Sequence, residues 1–360
     1  MRSTVTAREF AEAIKKVSSI LKSSPLPQFE QVRVDFDGNV CRLTATDLSI
    51  WAIAEIPAVG EDRFSFLFAD TKTVVRACRH YSGELTVELY GDKKDMRVAL
   101  RCCDKEGEFR ALDTEFYPVY PEEEPEQHYT ANAEQLFERV KTIRYATIVV
   151  DHKPVLSGIR FEGNRLWCLD GQRMAISEDE ALTVEKPFII PASALYHLKL
   201  FESGEVTLSI GKKYAVFASD TLRLTCRMLE GGDPLKIENV MPRDFKESYT
   251  VERKQFADAL KYLVECSKKL EKPHVIFTNG TLVLHGDGTV CSAKLDVRGE
   301  SGICYAFDAG YMKEALEQFA DCETVTVGVV SEISPIVLSA GANTALVLPV
   351  RMKNEWRNAA

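Results

Sequence analysis

The sequence predicts an α+β protein in which one unit, two helices packed on antiparallel strands, is written three times along 360 residues. Three blocks recur in the same order at matching offsets, and such self-similarity marks a repeated architecture. Two proline-rich, acidic stretches cut the chain between the copies, and one hydrophobic core rarely serves so long a chain.

The first block is STVTAREFAEAIKKV from Ser3, YTANAEQLFERVKTI from Tyr129 and YTVERKQFADALKYL from Tyr249. Each reads as a short strand entering an amphipathic helix. Phe10/Leu136/Phe256, Ile14/Val140/Leu260 and Val17/Ile143/Leu263 align without gaps, at the i, i+4, i+7 spacing of a core-facing stripe. The second block, DGNVCRLTATDLSIWAI, EGNRLWCLDGQRMAI and TNGTLVLHGDGTVCSAKL, turns at Gly38, Gly163 or Gly280 and continues in alternating strands, as antiparallel hairpins do. The third, FADTKTVVRACRHY from Phe68, IIPASALYHLKLF from Ile189 and AFDAGYMKEALEQF from Ala306, is a strand running into a short helix. The junctions are Tyr117-Pro118-Val119-Tyr120-Pro121-Glu122-Glu123-Glu124-Pro125-Glu126, and Gly231-Gly232-Asp233-Pro234 running on to Met241-Pro242. They predict domains over 1–122, 127–242 and 247–360, each of an ordinary size.

No stretch approaches the ~20 apolar residues of a membrane span, and the N-terminus lacks an apolar signal core, so the expected address is the cytoplasm. A net charge of −9 excludes a general nucleic-acid coat and confines any nucleic-acid contact to a local basic surface. The ten cysteines are scattered singly apart from Cys102-Cys103 and form no CxxC pair; they are expected as buried, reduced thiols.

Chemistry is thinly represented. There is no P-loop, HExxH, GxSxG or dinucleotide fingerprint. Asp47, Asp170 and Asp287 recur in the hairpin blocks, where hydrogen bonding at turns accounts for a thrice-repeated aspartate. His80, His128, His152, His197, His274 and His285 have no metal-ligand spacing. No catalytic residue, metal or cofactor is expected.

Four stretches, taken in order, carry a family resemblance. They are the opening strand and helix with Val17-Ser18 and Pro25-Leu26-Pro27; LTATDLSIWA from Leu43; VLSGIRFEGNRLWCLDGQRMAIS from Val155; and LVLPVRM from Leu346. Together they resemble the bacterial sliding clamp family, the beta subunit of DNA polymerase III, over essentially the whole chain. The resemblance implies a DNA clamp fold of three similar domains, with two chains joined head to tail as a six-domain ring, helices inside and sheets outside. It also implies a non-enzymatic processivity factor that encircles duplex DNA without reading its sequence. A clamp-like adaptor that gathers peptide partners without encircling DNA is the alternative.

An acidic ring around DNA needs its positive charge on the inner helices. The six predicted helices carry about +6 in total, leaving −15 elsewhere. Lys15, Lys16, Lys22, Lys72, Arg76, Arg79, Arg139, Lys141, Arg144, Lys254, Lys261 and Lys268 are the candidate pore cations, suited to salt-sensitive phosphate contacts. The family often supplies an arginine from the loop before Pro25, where this chain has Ser23-Ser24.

The resemblance further implies an apolar groove for peptides from the replicative polymerase, clamp loader and other clamp-motif proteins. Carried over residue by residue, its wall is Leu156, Leu169, Gly171, Arg173, Met174, Pro234, Val240, Leu346, Leu348, Pro349, Val350 and Arg351, with the two arginines expected to anchor carbonyls or acidic groups. Leu169 and Gln172 replace a threonine and a histidine of the family, and KNEWRNAA with Trp356 extends past its usual end. Homodimer closure is expected from the edge strand bearing Phe109 and Ala111, against a third-domain edge packed by Leu263 and Cys266.

Overall fold

The computed structural model describes residues 1–352 other than 25, 150–152, 203, 231–236, 243, 267–273 and 287–288. Pro234, Lys268, Asp287 and Trp356 lie outside the described residues.

Seven α-helices occur among the described residues: α1 (Ala7–Ser18), α2 (Thr71–Cys78), α3 (Ala133–Ile143), α4 (Ala192–Leu195), α5 (Ile237–Val240), α6 (Arg253–Cys266) and α7 (Ala309–Glu317). The expected stripes of α1, α3 and α6 are all buried: Phe10, Ile14, Val17, Val140, Ile143, Phe256, Leu260 and Leu263 have no exposed surface, and Leu136 has 2%. Each such side chain stabilises the fold by roughly 1.5–3 kcal/mol relative to exposure. The short helices of the third block begin where a carboxylate can satisfy free amides. Asp70 accepts from Thr73 N at 3.0 Å ahead of α2, and Asp308 accepts from Gly310 N and Tyr311 N ahead of α7. The second copy, α4, lacks such a lead residue and passes after one turn into a 3-10 helix, Tyr196–Phe201.

The chain forms two compact units, residues 1–137 with 193–228, and residues 138–192 with 229–360. In the first, a twelve-stranded antiparallel sheet runs in the order Arg2–Thr6, Glu84–Tyr90, Arg97–Cys102, Lys105–Leu112, Arg63–Phe68, Arg33–Asp37, Val40–Thr46, Ile50–Val59, Leu222–Arg227, Tyr214–Ala218, Glu205–Ile210, Gln127–Asn132. Arg2–Thr6 also pairs with Ile50–Val59, so the first eight strands close on themselves around α1 and α2. An extended strap, 117–125, crosses this sheet. It is tied down by Tyr117 Oη donating to Thr44 O at 3.1 Å, Tyr120 Oη with Thr225 Oγ1 at 2.7 Å, and the Glu123 carboxylate accepting from Lys213 N and Tyr214 N.

In the second unit, nine strands run in the order Val184–Pro191, Gly158–Gly163, Arg165–Leu169, Arg173–Glu178, Asn343–Val347, Ile336–Ala340, Thr324–Val329, Glu247–Glu252, Val297–Gly299. Four more form a separate sheet, Thr289–Lys294, Thr281–Gly286, His274–Thr278, Tyr305–Asp308. Between them α6 and α7 bury a core of Phe256, Leu260, Leu263, Met312, Leu316, Phe277 and Phe307. Tyr249 and Tyr305 are buried there with their hydroxyls hydrogen-bonded to each other. The middle sequence repeat is thus shared, four of its strands completing the first unit and four the second.

Two expected interface residues are interior. Ala111 is 2% exposed, pairs with Phe68, and donates its N–H to Met96 O at 2.9 Å. Leu263 faces the helix core, because Leu260 and Phe256, at i−3 and i−7, set that face. The thiol expectation holds for Cys41, Cys78, Cys102, Cys168 and Cys226, which are buried, but Cys103 is exposed.

If Leu263 is a core residue, Leu263→Ala should destabilise the chain by about 2–5 kcal/mol through its cavity. Urea unfolding of the single variant measures this; a loss below about 0.5 kcal/mol would place Leu263 on a surface after all.

Candidate functional site

In the second unit, Arg173–Glu178 pairs on one side with Arg165–Leu169 and on the other with Asn343–Val347, in the registers Leu169↔Met174 and Met174↔Leu346. Side chains alternate across a strand, so Trp167, Leu169, Met174, Ile176 and Leu346 share one face. Trp167, Met174, Ile176, Val337 and Leu346 are buried there beneath Ile237 of α5. Leu169, Val240, Met241 and Leu348 pack half-buried around them as a rim. The structure therefore brings together five of the sequence-derived wall residues, Leu169, Met174, Val240, Leu346 and Leu348. Trp167 and Ile176 were missed, although each lies two positions from a named wall residue. Ile237 and Met241 were missed because the junction was expected to be extended throughout.

The remaining wall residues are placed differently. Leu156 is half-buried in a 3-10 turn, Pro154–Ser157, where its carbonyl accepts from Ile148 N. Gly171 is exposed at φ +92°, a conformation that other residues rarely adopt, directly after Asp170. Leu348 N donates to Gln172 O at 2.8 Å, and Val350 N to Ala306 O at 2.7 Å, which hold the terminal segment against the turn before Arg173–Glu178 and against the strand Tyr305–Asp308. Pro349 and Val350 are half-buried and Arg351 is exposed.

Arg173 departs from its expected role as a groove anchor. It is one residue from Met174 and so points to the opposite face, toward the helices. Its Nε donates to Asp170 Oδ2 at 3.0 Å, its Nη2 to Tyr145 O at 2.9 Å, and its Nη1 to Glu314. The guanidinium also lies 4.6 Å from the Tyr311 ring centroid and 5.2 Å from that of Tyr145. Burial opposes its charge, yet Glu314 and Asp170 outweigh that and hold its pKa above the usual arginine value. Every guanidinium nitrogen is engaged inside the unit. Asp170 in turn accepts from Gln172 N and Arg173 N, and Asp47 accepts from Ser49 N and Ile50 N, as expected of turn aspartates.

The candidate cations divide sharply by environment. In the first unit, α1 and α2 pack together. Lys15, Lys72, Arg76 and Arg79 are exposed on or directly after them, with no ion pair among the described residues. Lys16 is paired with Glu202 at 3.0 Å and Lys22 with Asp47 at 2.8 Å. In the second unit, Lys254 and Lys261 of α6 are exposed and unpaired among the described residues, while Lys141 is held by Glu138 at 2.9 Å. Arg144 is half-buried and engaged.

Arg139 is not a surface cation. Its side chain is 11% exposed, donates to Ser177 O at 2.9 Å and Asn164 O at 3.1 Å, and lies 3.8 Å from Asp179. Burial lowers its pKa from the usual arginine value, with Asp179 opposing. It ties α3 to the strand Arg173–Glu178 and to the turn at Asn164 instead of meeting solvent.

Beside Lys22 and Asp47 sits His197, which sequence reasoning left without a role. Its Nδ1 is buried and has no hydrogen-bond partner among the described residues. Desolvation, then the charges of Lys199 and Lys22, push its pKa down to about 4, with Asp47 opposing. Asp47 itself feels burial, which would raise its pKa, but hydrogen bonds from Lys22 and Ser49 and the Lys22 charge hold it below the usual carboxylate range.

No protein-family model matches the chain. It is 25% identical over 377 residues to a beta sliding clamp homolog, GriR, of Streptomyces muensis, covering 98% of this chain and 99% of that protein. It is 26% identical over 282 residues to the beta sliding clamp of Synechocystis, covering 70% and 72%. A solved DNA polymerase sliding clamp from Bacillus subtilis superposes with a TM-score of 0.86 at 18% identity, over 98% of this chain and 100% of that one. The expected resemblance to the beta sliding clamps therefore holds, and the fold is that of the DNA clamps.

The His197 environment makes a signed prediction for stability. The folded state resists the proton that the unfolded chain accepts near the ordinary value of 6.5, so stability should fall as pH drops from about 6.5 to about 4 and lose nothing further from this group below that. Allowing for partial exposure, the contribution is about 1–2 kcal/mol. His197→Gln should flatten that part of a urea-unfolding pH profile; an unchanged slope would remove His197 as its source.

Proposed function

We infer that this chain, a relative of the beta sliding clamps, is a non-enzymatic DNA sliding clamp: a ring that encircles duplex DNA and tethers a polymerase. The observation that carries this reading is the exposed, unpaired cation set on the helices of a clamp fold in a chain of net charge −9. Lys15, Lys72, Arg76 and Arg79 on one helix pair, with Lys254 and Lys261 on α6, suit phosphate contacts that carry no base information and let a protein slide.

The reading includes three domains, 1–122, 127–242 and 247–360, and closure by a second copy. Two strand edges support closure. Lys105–Leu112 pairs along one side with Arg97–Cys102, but on the other only Ala111 and Leu112 are paired. Thr289–Lys294 is the last strand of its sheet, and Tyr262 and Val290 stand exposed near it at 49% and 65%. Pairing these edges between copies would remove both liabilities. Phe109 and Cys266, each half-buried, are then the expected interface residues that remain.

The apolar trough around Met174 and Leu346, rimmed by Leu169, Val240, Met241 and Leu348, is the proposed seat for peptides of the polymerase, the clamp loader and other clamp-binding proteins. Among the described residues no helix is long and apolar enough to cross a membrane, and the proposed location is the cytoplasm. The alternative, an adaptor that binds peptides without encircling DNA, draws support from the five candidate cations, Lys16, Lys22, Arg139, Lys141 and Arg144, that are already engaged by the chain itself.

Charge reversal at Lys72, Arg76 and Arg79 should weaken DNA binding and lower the slope of log K against log salt by about 0.9 for each phosphate no longer neutralised. Wild-type retention on nicked circles at all salt concentrations would favour the adaptor. For the trough, Leu348→Lys with Val240→Lys should weaken a labelled C-terminal peptide of the replicative polymerase at least about tenfold, since buried anchors are worth roughly 2 kcal/mol. Equal affinity in a folded double variant would move the peptide site elsewhere.

A further inference from the structure

We propose that Cys102 and Cys103 form a two-thiol site for a trivalent arsenical or a chemically similar soft, thiophilic centre, at the hairpin joining Arg97–Cys102 to Lys105–Leu112. The two residues are adjacent in sequence, which would normally send their side chains to opposite faces of a strand. Here the strand ends between them. Cys103 takes φ +52°, in the left-handed region that residues other than glycine seldom occupy, and this turns its side chain back toward that of Cys102.

Both thiols converge on one carbonyl. Cys102 Sγ and Cys103 Sγ each donate to Ser82 O, the latter at 3.7 Å, and Ser82 N donates to Cys102 Sγ at 3.3 Å. Cys103, Ser82 and Gly83 are exposed while Cys102 is 4% exposed, so the pair has an open approach on one side and a dry wall on the other. The charge and hydrogen bonding of Cys102 push the Cys103 thiol above its ordinary pKa.

Two sulfurs that share one acceptor oxygen suit a bent S–M–S unit. An organoarsenic(III) oxide meets this demand without any redox step: two S–H protons pass to its oxygen, which leaves as water, and two As–S bonds form. Soft centres prefer thiolate ligands over the harder donors nearby. Only one peptide link separates the ligands, so little loop-closure entropy opposes the second bond. The first bond forms at exposed Cys103; the second draws Cys102 away from Ser82 O.

The full chain is incubated with phenylarsine oxide, washed with excess monothiol, and digested with trypsin, which releases residues 102–105 as one peptide. Bridging predicts one phenylarsine on that peptide, stable to monothiol and released by a dithiol. Cys103→Ser replaces an exposed side chain and should lower retention roughly 100-fold, because the second bond of a linked pair is removed. Equal retention in Cys103→Ser overturns the proposal. So does an adduct confined to Cys266 and Cys291, two half-buried thiols of the second unit. Capture of monovalent copper without capture of the arsenical would overturn it too, since that ion favours a linear pair of sulfurs.

Discussion

The pairing of Arg173–Glu178 with Asn343–Val347 is the constraint on which the second unit depends. It joins strands separated by some 170 residues and fixes the register Met174↔Leu346. A slip of one residue would turn every side chain to the other face. In the observed register Met174, Ile176 and Leu346 lie beneath α5, while Arg173, Ala175 and Ala345 face the helices. The same register lets Gln318 of the α7 C-cap donate to Ile176 O at 2.8 Å and Thr344 O at 3.3 Å, and accept from Tyr145 Oη at 2.9 Å. An apolar trough on one face and an arginine-centred polar cluster on the other are two outcomes of one strand alignment.

The first unit contains the same kind of seam, with Ile50–Val59 pairing to Leu222–Arg227 in the register Trp51↔Thr225. Trp51 stands where Met174 stands in the second copy of the hairpin block. The seam is finished differently. Tyr120 meets Trp51 edge to face at 5.7 Å, Tyr117 is buried beside it, and the strap is secured by side-chain hydrogen bonds at Tyr117, Tyr120 and Glu123. The groove left under the strap, about 1140 Å³, is lined by paired charges such as Arg33 with Asp35 and Arg42 with Glu55. Where the first seam is covered by tyrosines with anchored hydroxyls, the second is covered by Ile237, Val240 and Met241, which offer only apolar contact. Apolar contact without directional bonds is the easier one to exchange for the anchors of a peptide.

Much of this was legible in the sequence because periodicity is a local signal. The stripes of α1, α3 and α6 needed only spacing, and so did the hairpins at Gly38, Gly163 and Gly280. What escaped were facts set by partners distant in the chain. Leu263 is part of the same stripe that identified the core, and its assignment to an interface ignored that periodicity. Arg173 was placed in the groove by resemblance, although alternation from Met174 already put it on the other face. Ala111 looked like an edge residue until Phe68, 43 positions earlier, was seen to pair with it. The α5 turn was hidden by the glycine and proline residues before it.

The basic surface illustrates the same limit in electrostatic terms. Counting charges along helices treats each lysine or arginine as available, whereas availability depends on the nearest carboxylate and on burial. Lys22 is tied to an aspartate 25 positions away and Lys16 to a glutamate 186 positions away. Arg139 meets the carbonyl of Ser177 in one sheet strand and that of Asn164 in the turn between two others. Such pairs contribute modestly to stability in water, on the order of 0–1 kcal/mol when exposed. They still lower the potential that a phosphate would feel, because a paired cation must give up its carboxylate or share it. The cations that escape pairing cluster on α1 and α2, with a smaller set on α6. Non-specific attraction to a polyanion scales with the number of phosphates neutralised, so the proposed DNA contact has far fewer available groups than the sequence displays. On the proposed reading, a protein held to DNA mainly by a closed topology tolerates that economy, and the strength of the proposed closing strand edges matters more than the number of its lysines.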